Sequence, residues 1–111
     1  MKVTTSEAGL GVGLLEVEGA VDAHTAPRLG TALSDLVAQD RVRLLLDARQ
    51  MTFISSAGLR VILFAHREVV QRGGEVRAFG LNPQLQRVFE IAGFYRLLRI
   101  SDTSQEAMEG W

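Results

Sequence analysis

Two adjacent hydroxyls, Ser55 and Ser56, stand where an apolar pair, Phe53 and Ile54, gives way to Ala57, Gly58 and an apolar pattern of helical spacing through Leu59, Ile62 and Leu63. A strand that ends where a helix begins sets such hydroxyls beside unpaired backbone N–H groups and the positive end of the helix dipole. The spacing predicts Ser56 as the N-cap of this helix, its hydroxyl accepting a first-turn N–H. A helix start tolerates phosphate for the same electrostatic reason. If the chain carries a chemical switch, its place is Ser56, with Ser55, turned partly toward the strand end, as the second choice; an ordinary N-cap accounts for the residue without one.

Other chemistries find less support. A serine nucleophile needs a base and oxyanion donors, but the chain has no Gly-x-Ser-x-Gly elbow and only two histidines. His66 falls on the apolar side of its helix and reads as a packed residue, while His24 lies in a turn with no second histidine at metal spacing. The absence of cysteine excludes disulfides and thiolate chemistry. Gly73-Gly74 lacks the lysine of a phosphate loop and is adequate as a helix cap. The expectation is a binding protein, not an enzyme, with neither metal nor cofactor.

Twelve basic and 13 acidic residues nearly balance, so no bulk charge draws the chain to nucleic acid or anionic lipid. A chain of 111 residues, 47% hydrophobic, suits one domain with its own core. No apolar run reaches membrane-spanning length and the first residues lack a signal-peptide core, so the cytoplasm is the expected compartment and membrane insertion is not expected.

The elements that must position the serines follow from periodicity. Val12 to Glu18 alternates, with Leu15 and Val17 on the inner face, and Val3 to Ser6 pairs with it as a hairpin through Ala8 to Gly11. Gly19 to Asp22 is read as a turn, and Thr25 with Pro27 opens a helix striped by Leu29, Leu33, Leu36 and Val37. Val42 to Leu46 is apolar on both faces, a central strand that Asp47 is expected to end. The helix from Ser56 has a predicted core arc of Leu59, Ile62, Leu63, Val69 and Val70, with Phe64 opposite among Arg60, Arg67 and Gln71. Glu75 to Phe79 is a strand; Asn82-Pro83 opens a helix through Leu85, Val88, Phe89 and Ala92. Leu97 to Ile100 is a last strand, and Thr103 with Glu106 has capping-box spacing for a short final helix. Alternation of this kind predicts a mostly parallel sheet with right-handed crossovers.

The stretch Phe53-Ile54-Ser55-Ser56-Ala57-Gly58-Leu59 resembles the signature of the STAS domain family, the bacterial anti-sigma factor antagonists, and Gly19-Ala20-Val21-Asp22 resembles its Gly-x-x-Asp turn. The resemblance spans nearly the whole chain. It implies an α/β fold, a single STAS domain over residues 1–111, with a mixed, mostly parallel sheet of four to five strands packed with about four helices. It also implies a partner: an anti-sigma factor that is a serine kinase, released when Ser56 is phosphorylated and re-engaged after a metal-dependent serine phosphatase acts. Family members often carry aspartate at the position of Ser55 and a second hydroxyl at that of Ala57, which leaves Ser56 in register as acceptor. The expected partner face comprises Asp22, Ser55, Ser56, Ala57, Gly58, Arg60, Phe64 and Arg67, with Asp47 a weaker candidate. The competing reading is a STAS module that works without phosphorylation, as an accessory of a transporter or a sensory complex.

Overall fold

The alternating stretch around Leu15 and Val17 is the second strand of a five-stranded sheet in the computed structural model, which describes residues 1–111. The chain runs β1 (Lys2–Glu7), β2 (Val12–Val21), α1 (Ala26–Ala38), β3 (Arg43–Ile54), α2 (Ser56–Val70), β4 (Glu75–Phe79), α3 (Pro83–Ile91), a 3-10 turn (Phe94–Arg96), β5 (Arg99–Ser101) and α4 (Ser104–Ala107). The strands lie across the sheet in their order along the chain; β1 pairs antiparallel with β2, and every later pair is parallel. The α/β order predicted from periodicity is the order observed.

Successive right-handed crossovers between neighbouring parallel strands put their helices on one face. The packing has this arrangement. Leu15, Val17, Leu44, Leu46 and Ala78 point to the side where α1, α2 and α3 bury Leu29, Leu33, Ile62, Val69, Leu85 and Phe89. The alternate residues Val12, Leu45 and Phe79 point to the other side, where α4 covers them with Ala107. Strand order never reverses within the parallel strands, so the sheet lacks the crevice in which doubly wound folds hold nucleotides.

Four expectations need correction. β3 does not end at Asp47 but continues to Ile54, paired with β2 alone beyond Asp47, and two irregularities of register accommodate the extra length. Asp47 is nearly buried mid-strand because the Arg49 guanidinium clamps it, Nε to Oδ1 at 3.0 Å and Nη2 to Oδ2 at 2.8 Å. β2 likewise runs through Gly19 to Val21, so the turn begins only at Asp22. The buried stripe of α2 is Gly58, Ile62, Ala65 and Val69; Leu59 and Leu63 are half-buried at its margins and Val70 is exposed. The last strand is Arg99–Ser101, because Phe94 buries itself edge-on against Phe89 and its short turn takes up Leu97.

Two caps stand as predicted. Gly73 takes a left-handed φ of +84°, and Gly74 permits a close crossing, since a Cβ there would stand 2.0 Å from the Val42 carbonyl oxygen. At the tail, Thr103 Oγ1 accepts from Glu106 N at 3.2 Å, the N-cap half of a capping box, and the Thr103 hydroxyl donates to the Glu106 carboxylate at 3.1 Å in place of the backbone bond.

Candidate functional site: the serine turn at the head of α2

The N-cap of α2 is Ser55, not Ser56. Ser55 has extended backbone angles and its Oγ accepts from Gly58 N at 3.2 Å. The shift by one residue follows from β3, whose pairing with β2 extends to Ile54 and makes Ser55 the first residue free to turn. Ser55 thus does the capping, and a hydroxyl suffices for one N–H. Ser56 becomes the first helical residue. It is exposed, and its hydroxyl bonds no other group of the protein.

Gly58 is buried and holds the turn close to the sheet. A Cβ on it would stand 2.7 Å from Ile54 Cγ1 and 2.8 Å from Val21 Cγ1, so it shapes the presentation of Ser56 from beneath. Ala57 is half-buried against the core.

The end of β2 lies alongside. Ser55 N donates to the Val21 carbonyl at 2.8 Å, so the turn that starts at Asp22 adjoins the serine turn at the C-terminal ends of neighbouring strands. Asp22 Oδ1 accepts from His24 N at 2.9 Å and Thr25 N at 2.8 Å, and Asp22 N donates to Thr25 Oγ1 at 2.9 Å. The Thr25 N–H and hydroxyl hold the exposed Asp22 carboxyl below its usual pKa. Asp22 Oδ2 takes part in none of these bonds.

Further along α2, Arg60 and Arg67 are exposed and Phe64 is 62% exposed, as the helical wheel predicts. Periodicity did not single out Phe53, which is 47% exposed two residues before Ser55. Strand alternation could have found it, because Ile54 points inward and its neighbour must point out. Asp47, by contrast, lies on the other face of the sheet with Arg49 and has no place in this site. His66 is packed as expected: it is half-buried, and its Nδ1 accepts from Val76 N at 3.1 Å. Burial pushes its pKa down, against a smaller upward pull from Glu75. No three His, Cys, Asp or Glu side chains are grouped to hold a metal ion, and no helix is long and apolar enough to cross a membrane.

A mixed sheet with α1, α2 and α3 on one face and α4 on the other, an exposed serine opening α2 and an aspartate turn beside it define a small α/β domain. The pattern of the STAS domain family matches residues 5–107, and the chain belongs to that family. It is 33% identical over 90 residues to the anti-sigma-B factor antagonist of Listeria monocytogenes, an alignment covering 81% of this chain and 79% of that one. The crystal structure of an anti-sigma factor antagonist from Mycobacterium paratuberculosis superposes with a TM-score of 0.84 at 25% identity, covering 96% of this chain and 92% of that one. A sulfate transporter family protein from Wolinella succinogenes shares the fold, with a TM-score of 0.77 at 23% identity over 93% of this chain and 86% of that one. The fold alone therefore does not choose between the uses; the site has to.

Proposed function

We propose that this chain is an anti-sigma factor antagonist whose unmodified form binds an anti-sigma factor with serine kinase activity, and whose phosphorylation at Ser56 breaks that complex. The observation that carries the reading is the unbonded, exposed hydroxyl of Ser56 at the first position of α2, beside a preformed Asp22 carboxylate. Ser55 is the weaker acceptor because its Oγ is engaged with Gly58 N. The partner face is Asp22, Ser55 and Ser56 at the turns and Arg60, Phe64 and Arg67 along α2, with Ala57 at the margin and Gly58 beneath. The work is done by binding, and transcription is controlled through the sigma factor that the partner then releases.

Phosphoserine adds about −1.5 to −2 charge, and at a helix N-terminus this charge is favourable or neutral for the fold. The consequence falls on the complex. A dianion buried against a partner without cationic contacts costs several kcal/mol, and about 1.4 kcal/mol is tenfold in affinity. The same exposure leaves the phosphate within reach of a metal-dependent phosphatase that would restore binding in the cytoplasm.

Incubation with γ-labelled ATP and the kinase encoded beside the chain's gene tests this. Label is expected on Ser56, lost in Ser56→Ala and retained in Ser55→Ala. An unlabelled chain would instead favour a STAS module that acts without phosphorylation, in a transporter or sensory complex.

A further inference from the structure

We infer that two copies of this chain join through the free edge of β1 and the adjoining stripe of α1, so that a two-fold axis makes one continuous sheet of the two. This inference is independent of the function proposed above.

The sheet ends in two unlike edges. β5 is only three residues long, whereas β1 runs for six. Short strands, charge, proline and bulges are the usual guards of an edge. β1 contains no proline and keeps one register with β2 throughout. Its charges stand only at its two ends, where Lys2 pairs with Glu18 and Glu7 with Arg41, so Val3 to Ser6 is an uncharged run rich in β-branched residues.

The ladder also fixes which groups are free. Ala8 N donates to the Val12 carbonyl at 2.9 Å, in register with the β1–β2 pairing. Bonded residues alternate along an antiparallel ladder. Lys2, Thr4 and Ser6 therefore turn their backbone groups to β2, while Val3 and Thr5 turn theirs to the open edge. A second β1, antiparallel and with Thr4 on the two-fold axis, lets Val3 of each copy exchange both N–H···O bonds with Thr5 of the other. Thr4 then faces Thr4, a favourable cross-strand pair.

α1 carries a matching stripe. Arg28, Ala32 and Asp35 recur at intervals of four and three, and with Val3 and Thr5 they line an open cleft of about 520 Å³ between the helix and the strand. Arg28 and Asp35 are exposed and enter none of the five ion pairs. Each also opposes the dipole of its own helix, a cation in the first turn and an anion in the last. They lie two turns apart, about 10 Å along the axis, too far to pair with each other. Nothing within one copy accounts for their placement.

The two-fold accounts for it. α1 packs over β1 and β2 alike, so one further strand spacing of about 4.8 Å across the axis sets the two α1 helices about 10 Å apart, an ordinary helix-packing distance. The helices run antiparallel, and Arg28 of each copy comes opposite Asp35 of the other. The small Ala32 between them permits the approach. The same patch serves both copies, so the contact closes on itself. The two serine turns point to opposite ends of the joined sheet.

Sedimentation equilibrium over a hundredfold range of concentration tests the inference, with thermal unfolding of each variant to confirm its fold. One strand edge and one helix stripe make a small contact of the weak class, so monomer is expected when dilute and dimer when concentrated. Thr5→Pro removes an outward N–H and leaves the β1–β2 bonds in place, while Arg28→Glu sets like charges together. Each is expected to weaken the dimer at least tenfold. The double variant Arg28→Glu, Asp35→Arg restores the pair in exchanged order, suits the helix dipole at both ends, and is expected to return to within about threefold of the parent. A chain monomeric over the whole range, a dimer indifferent to Thr5→Pro, or a double variant no better than Arg28→Glu overturns the inference. Should Thr5→Pro fail to fold, the charge exchange alone decides.

Discussion

The backbone N–H of Ser55 donates to the carbonyl oxygen of Val21 at 2.8 Å, joining the tips of β2 and β3 immediately before each strand turns toward its helix. The Asp22 turn and the serine turn are thereby fixed to each other through the sheet. Ser55 then spends its side chain on Gly58 N, and Ser56 is presented with nothing to hold its hydroxyl.

The two serines should separate cleanly in stability. Ser55→Ala removes the cap and is expected to cost about 1 kcal/mol, or roughly 4 °C in Tm for a domain of this size. Ser56→Ala should leave Tm within about 1 °C, since no bond is lost. Thermal and urea unfolding of the pair checks this, and equal losses would place the cap elsewhere.

Gly58→Ala tests the close approach of α2 to the sheet. The added methyl meets Ile54 and Val21 below 3.0 Å, both side chains are buried in the core, and overpacking of this kind costs about 1–3 kcal/mol. Helix propensity favours alanine by nearly 1 kcal/mol, so the net loss measured by urea unfolding should be about 0–2 kcal/mol. A stabilised variant would show that the turn has room to move.

Much of this architecture was legible from periodicity, and the failures have physical causes. The helical wheel of α2 set Phe64, Arg60 and Arg67 outward because a single amphipathic stripe decides a helix orientation. The length of β3 was hidden because Asp47 read as the end of the strand, yet on the sheet face away from α1–α3 a carboxylate can stay in a strand when a guanidinium closes over it. The cap moved by one residue for the same reason, since strand pairing up to Ile54 decides where the chain can turn. Arg77 gave no local signal beyond Glu75, two residues before it, whose carboxylate accepts from Arg77 Nε at 2.9 Å. Arg77 is buried, and its other partners, the carbonyls of Ala107 and Glu109 at 2.9 and 2.7 Å and the Trp111 ring at 4.1 Å, lie about thirty residues further on.

That arginine is the strap that holds α4 over Val12, Leu45 and Phe79. Arg77→Ala removes several charge-assisted bonds and a stacking contact at once, and a loss of about 2–3 kcal/mol is expected. Amide exchange should quicken in residues 103–111 more than in α2. Protection unchanged at the C-terminus would remove Arg77 from this role.

His66 sets a pH dependence of definite sign. Burial holds its folded-state pKa below the ordinary 6.5, so in acid the unfolded chain takes up a proton that the folded chain resists. The unfolded state then binds more protons, and stability, full above about pH 6.5, falls as pH drops from there toward the folded-state pKa, by at most about 1.4 kcal/mol per pH unit. Glu7 and Asp22, whose pKa values are also lowered, act in the same direction but only near and below their ordinary values of 4.5 and 3.8. Urea unfolding between pH 5.5 and 7 should therefore show a flatter slope in His66→Gln than in the parent chain, and equal slopes would contradict the assignment.

The most direct trial compares the Ser56-phosphorylated chain with the unmodified one in two measurements on the same samples: affinity for the anti-sigma kinase by titration, and Tm. The expected result is at least a tenfold loss of affinity with Tm changed by no more than about 2 °C. Retained affinity, or a loss that accompanies melting of the domain, would contradict a switch that acts by charge at an intact docking face.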